Sequence, residues 1–175
     1  LAQKENLCHP NTCRHCSYRQ NWLSKRYDLQ EYLSRSGQQR KRPKTHRILA
    51  IDDEPDFLFG LEETLLDMGC TILTAVDGDE GLLFAQETIP DLIITDVQMP
   101  GMNGFELCRA LKSDPKTSAI PIIIASVLAT KREEEEGLKA GATAYIVKPF
   151  HLLNLVTQVR RLIPLPGANL HVGRL

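Results

Sequence analysis

From residue 47 onward, short apolar runs alternate with stretches whose apolar residues recur every three or four positions. The runs "RILAI" (47–51), "CTILTAV" (70–76), "DLIIT" (91–95), "IPIIIAS" (120–126) and "AYIV" (144–147) are brief and rich in β-branched residues. Such runs suit strands buried on both faces. Five helical patterns alternate with them. The first, "EPDFLFGLEETLLDMG", carries Phe57, Leu58, Leu61, Leu65 and Leu66 on one side and stops at Gly69. The others are "DGDEGLLFAQETI", "GFELCRALKSD" (104–114), "TKREEEEGLKAGA" and "PFHLLNLVTQVRRLI" (149–163). Strict strand–helix alternation predicts an α/β fold with a parallel sheet covered on both faces. The right-handed crossover rule makes a doubly wound five-stranded sheet the simplest arrangement.

In such sheets ligands bind beyond the carboxyl ends of the strands. The first strand ends on Asp52 and Asp53, the third on Asp96, the fourth on Ser126 and the fifth on Lys148 followed by Pro149. One strand-end aspartate is commonly just a helix cap. Three carboxylates, a hydroxyl and an ammonium on one rim are a different matter. Two unit charges about 4 Å apart repel by roughly 4 kcal/mol at an effective dielectric near 20. The acids therefore call for a cation, and all-oxygen ligation suits Mg²⁺ and phosphoryl chemistry. Asp96 is the expected nucleophile, forming an aspartyl-phosphate. Lys148 supplies a second positive charge and Ser126 a hydroxyl donor.

The stretches "AIDDEP", "DVQMPGMNG" with its D-x-x-M-P-x-x-x-G pattern, "IIIAS" and "AYIVKPF" stand in order, with 30 residues from Asp96 to Ser126 and 22 from Ser126 to Lys148. In these motifs the chain resembles the receiver domains of two-component response regulators, over residues 47–163. That resemblance implies a flavodoxin-like sheet of order 2-1-3-4-5, Asp96 as phosphorylation site and Asp52 and Asp53 as magnesium ligands. It further implies a metal contact from the Gln98 backbone carbonyl, Ser126 and Tyr145 as a switch pair, and Lys148 as the phosphate-contacting lysine. A cis Lys148–Pro149 bond is implied too, at the small cost X–Pro bonds carry. Two positions depart from the commoner pattern: Ser126 stands where threonine is usual, and Gln98 where asparagine often is. The implied partner is a histidine kinase or phosphotransfer protein. A phosphoryl group on Asp96 would draw Ser126, let the Tyr145 ring turn, and re-form the surface of the fourth helix, fifth strand and fifth helix. That surface is also the expected homodimer face.

Charge divides the chain. Residues 1–47 hold 11 Lys/Arg against 3 Asp/Glu, a net +8, and residues 48–175 hold 10 against 19, a net −9. Such asymmetry predicts two regions with different tasks. The expected organisation is a basic extension (1–46), the receiver (47–163) and a tail or start of a linker (164–175). In the extension "CHPNTCRHC" spaces Cys8, Cys13 and Cys16 as C-x4-C-x2-C, with His9 and His15 interleaved. Thiolates so spaced suit Zn²⁺ ahead of an iron–sulfur cluster, with His9, His15 or the distant His46 completing the set. "YRQNWLSKRYDLQEYLSRSG" (18–37) has Trp22, Leu29 and Leu33 at helical spacing, and "QQRKRPKTHR" (38–47) reads as a solvated basic linker that could also meet nucleic acid. Cys70 and Cys108 read as small core residues, and "REEEE" (132–136) as a solvated first helical turn.

The longest apolar run, residues 119–129, is too short to cross a bilayer as a helix. No charged-then-apolar leader opens the chain, and an odd cysteine count without one fits a reducing cytosol, so a cytoplasmic location without membrane contact is expected. Three functions compete. The first is a phosphorylation-controlled module without turnover, whose output would include DNA binding only if an effector lies outside this chain. The second is a magnesium phosphatase-like hydrolase on the same aspartate; it needs an acid/base two residues beyond the nucleophile, where Gln98 stands. The third is a metal- or redox-sensing adaptor acting through the cysteines.

Overall fold

The computed structural model describes residues 45–163. Cys8, His9, Cys13, His15, Cys16, the helical pattern over 18–37 and the tail 164–175 lie outside the described residues. Five strands and five helices alternate: β1 (Arg47–Ile51), α1 (Pro55–Asp67), β2 (Thr71–Ala75), α2 (Gly78–Thr88), β3 (Leu92–Thr95), α3 (Gly104–Ser113), β4 (Ile122–Ser126), α4 (Lys131–Ala140), β5 (Ala144–Val147) and α5 (Leu152–Leu162). All strands pair in parallel in the order β2-β1-β3-β4-β5, as expected for this α/β fold.

Local chemistry sets where the helices begin. Pro55 occupies the first turn of α1, where its missing N–H is no loss. Asp77 caps α2 by accepting from the Glu80 amide. Asn103 with Glu106, and Thr130 with Glu133, form reciprocal capping boxes at α3 and α4. Glu133 and Glu134 lie in the first turn of α4, on the side the helix dipole favours. The acidic run is therefore a helix start, and α1 ends before Gly69, which turns the chain with φ +76.

The central strands β1, β3 and β4 form the floor of the core. Ile48, Leu49, Ala50, Leu92, Ile93, Ile122, Ile123, Ile124 and Ala125 have no measurable exposure, because helices cover both sheet faces. The edge strand β5 is only half-buried along most of its length. Strand register, more than buried area, decides which side chains meet at the carboxyl edge. Ile51 pairs with Thr95 and Ser126 pairs with Val147, so Asp52 and Asp96 leave adjacent strands in one row, and Lys148 leaves β5 beside Ser126. The Asp96 amide donates to the Ile51 carbonyl at 2.9 Å, which locks that row.

The helical face expected for α1 needs one correction. Leu58, Leu61 and Leu65 are buried, but Leu66 is 46% exposed and Phe57 only half-buried. A helix turns 100° per residue, so Leu66 points off the stripe set by Leu58, Leu61 and Leu65. Cys70 and Cys108 are buried free thiols, and burial pushes the Cys108 thiol up to about 12, which makes it an inert core residue at neutral pH. In urea denaturation Leu65→Ala is expected to cost about 2–5 kcal/mol, whereas Leu66→Ala costs under about 1 kcal/mol.

Candidate functional site

The carboxyl edge of the sheet brings Asp52, Asp53 and Asp96 together, with one carboxylate oxygen from each within 4.8 Å of the others. Asp52 is 1% and Asp96 5% exposed, so two of the three acids are held out of bulk water. Lys148 reaches them from β5, two strands beyond β3. Its Nζ lies 2.6 Å from Asp52 Oδ2 and 3.9 Å from Asp96 Oδ2. The backbone adds two donors: the Glu54 amide donates to Asp52 Oδ1 at 3.0 Å and the Val97 amide to Asp96 Oδ1 at 2.7 Å. The Lys148–Pro149 peptide bond is cis, in keeping with what the resemblance implied.

Burial is the largest influence on Asp52, and it pushes the carboxyl up to about 6. The hydrogen bond and charge of Lys148 and the Glu54 amide oppose that rise, while the charge on Asp96 adds to it. Three clustered oxygen donors with one lysine shared between two of them form a hard-ligand set short of positive charge. That chemistry fits Mg²⁺ and does not fit a soft or nitrogen-seeking metal.

Ser126 is fully buried at the end of β4, and its Oγ is 3.5 Å from the Leu128 amide. The Tyr145 hydroxyl donates to the Leu128 carbonyl at 2.9 Å, from the facing edge strand. Ser126 and Tyr145 therefore share one residue, Leu128, in the β4–α4 loop. Burial raises the Tyr145 phenol above its ordinary range, so it stays a donor at neutral pH. Gln98 is exposed in the loop after β3. The motif glycine Gly104 closes that loop: a methyl there would run into the Asp96 carbonyl oxygen and come 2.9 Å from Val97 Cα. Only glycine lets α3 start so near the strand that carries Asp96.

These groups coincide with a family signature. A sequence model described as "Response regulator receiver domain" matches residues 48–160. This chain belongs to the response regulator receiver family. The receiver is 39% identical over 116 residues to the response regulator PleD of Caulobacter vibrioides, covering 66% of this chain and 26% of PleD. The chain thus spans about a quarter of the length of that curated relative. Among solved structures it resembles the chemotaxis response regulator CheY4 of Vibrio cholerae (34% identity, TM-score 0.65, 69% of this chain and 100% of that one). It also resembles the receiver domain of a Pseudomonas aeruginosa sensor histidine kinase, which has a magnesium ion coordinated in its active-site cleft (25% identity, TM-score 0.63, 67% and 97% covered). Receivers of this family serve two-component signalling. Among the described residues no helix is long and apolar enough to cross a membrane.

The strand ends alone do not reveal two neighbours of the receiver site. Leu128 contributes only backbone groups, which carry no side-chain signature. Phe57 belongs by its spacing to the α1 core, yet its ring centroid lies 3.9 Å from Lys148 Nζ. His46, a candidate ligand for the cysteine cluster, is buried beside Asp91, with Nδ1 3.8 Å from Asp91 Oδ2.

The acid cluster has a consequence for stability. Folded Asp52 titrates near 6 against 3.8 when unfolded, so the folded chain holds that proton more tightly. Its contribution is fully present below about pH 4 and is lost as pH rises to about 6, amounting to about 3 kcal/mol. Urea titrations in EDTA between pH 4 and 7 should show this decline, and Asp52→Asn should flatten it.

Proposed function

We propose that Asp96 is the phosphoacceptor of a phosphorylation-controlled switch that takes its phosphoryl group from a histidine kinase or phosphotransfer protein. The observation that carries this reading is the convergence of Asp52, Asp53 and Asp96 around one point, with the Lys148 ammonium at their side. Asp52, Asp53 and Asp96, with the Gln98 backbone carbonyl, would hold Mg²⁺, a reading supported by the magnesium in the receiver of the Pseudomonas kinase. When bound, that ion supplies positive charge against the crowded carboxylates and the phosphoryl oxygens.

The chain's own residues perform the rest. An Asp96 carboxylate oxygen attacks the phosphorus of a phosphohistidine in line with the P–N bond. The new O–P bond forms as the P–N bond breaks, and the departing imidazole keeps the electron pair and takes up a proton. The Val97 amide already donates to Asp96 Oδ1, which orients the carboxylate. Lys148, now closer to Asp52 than to Asp96, gains an anionic partner when the phosphoryl group arrives. No carboxylate stands two residues beyond Asp96, where Gln98 is exposed, which disfavours a phosphatase with turnover.

The readout runs through Leu128. Ser126 Oγ accepts from the Leu128 amide and keeps its own hydroxyl proton to donate. A shift of Ser126 toward a phosphoryl oxygen would therefore pull on Leu128, whose carbonyl Tyr145 holds. Rearrangement at this one residue thereby moves the β4–α4 loop and the β5 edge together.

With Mg²⁺ and acetyl phosphate, intact mass should rise by one phosphoryl group, and neither EDTA-treated protein nor Asp96→Asn should gain it. A gain retained in Asp96→Asn would refute the assignment. Ser126→Ala should still be phosphorylated, while the phosphorylation-induced change in amide exchange over residues 127–130 is lost.

A further inference from the structure

Phe57 lies in the first turn of α1, four residues beyond Asp53. Its neighbours on that helix follow ordinary rules: Leu58, Leu61 and Leu65 are buried in the core, and Phe59 is 61% exposed. Phe57 does neither. Its ring faces the Lys148 ammonium, with Nζ 3.9 Å from the centroid, inside the range where an aromatic quadrupole attracts a cation. The same nitrogen is 2.6 Å from Asp52 Oδ2 and 3.9 Å from Asp96 Oδ2. Lys148 thus has an aromatic face among its partners as well as two carboxylates, and its side chain is 11% exposed.

A second contact fixes the ring. Phe150, two residues after Lys148, stands at 89° to Phe57 with centroids 6.1 Å apart, an edge-to-face pair. The aromatic plane is held between the ammonium on one side and Phe150 on another. A lysine stem has about 2 kcal/mol of rotamer freedom, so an ammonium shared by two acids needs something to define its place. Leucine would fill much of the volume but has no quadrupole.

We propose that Phe57 is a positioning residue of this site: its ring holds the Lys148 ammonium between Asp52 and Asp96 and shuts water out on that side. The proposal rests on Asp96 being the phosphoacceptor. A purely packing role would also slow Phe57→Leu, but it does not require the ring to face the ammonium and so predicts no ring-dependent displacement of the Lys148 ε-methylene resonance.

The test uses the full chain as wild type, Phe57→Leu and Phe57→Tyr. In metal-free protein the ε-methylene resonance of Lys148, read by carbon–proton NMR, should be displaced upfield by the ring in wild type and in Phe57→Tyr. In Phe57→Leu it should return to the ordinary lysine position. With Mg²⁺ and acetyl phosphate, Phe57→Leu should take up the phosphoryl group about three- to tenfold more slowly, and Phe57→Tyr at close to the wild-type rate. If Phe57→Leu does not fold, Phe57→Met takes its place. A wild-type rate in Phe57→Leu, equal slowing in both variants, or no upfield displacement in wild type would overturn the proposal. A wild type that takes up no phosphoryl group at all would instead overturn the Asp96 reading, and with it the kinetic half of this one.

Discussion

The ion pair between Lys148 and Asp52 is the interaction around which the molecule is arranged. Three carboxylate oxygens within 4.8 Å of one another repel by several kcal/mol even at an effective dielectric of about 20. Burial makes this worse by removing the water that would screen them. A single ammonium 2.6 Å from Asp52 and 3.9 Å from Asp96 offsets part of that cost. It arrives from the edge of the sheet, so the pair exists only when β1, β3, β4 and β5 are all in register. The isoleucine-rich floor beneath is what holds that register against the repulsion above it.

From that pair, contacts lead outward in two directions. One runs through the β4 end, where Ser126 and Tyr145 meet at the amide and carbonyl of Leu128. The other runs through Phe57 to Phe150 and the start of α5. Both reach the half-buried β5 edge, where Tyr145, Val147, Phe150 and Asn154 line a shallow recess. On the proposed reading, a phosphoryl group on Asp96 would compete for Lys148 and Ser126, which sit at the head of each route. It would so couple the carboxyl edge to a face several residues away.

Much of this is legible in the residues. Short β-branched runs suit double-sided burial, so β1 to β5 and their parallel pairing follow from composition and spacing, although the edge strand β5 is only half-buried. Asp52, Asp53, Asp96, Ser126 and Lys148 stand out because each sits where a run ends. The departures have a common cause. Leu66 joins the expected core only if apolarity is read without the full 100° turn from Leu65. Phe57 has core spacing too, although its ring turns toward a cation contributed by residue 148. The capping boxes at Asn103 and Thr130 are patterns within a single turn, and they fix the starts of α3 and α4.

By itself the sequence determined the element order, the sheet type and the residues available at its carboxyl edge, because hydrophobic period and turn chemistry act within a few positions of the chain. Which of those residues touch was settled only by tertiary structure. That Lys148 pairs more closely with Asp52 than with Asp96, that Leu128 is shared by Ser126 and Tyr145, and that Phe57 covers the ammonium all depend on strand register and helix docking. Distances of a few ångströms between residues so far apart along the chain are set by how the core packs, and no local pattern encodes them.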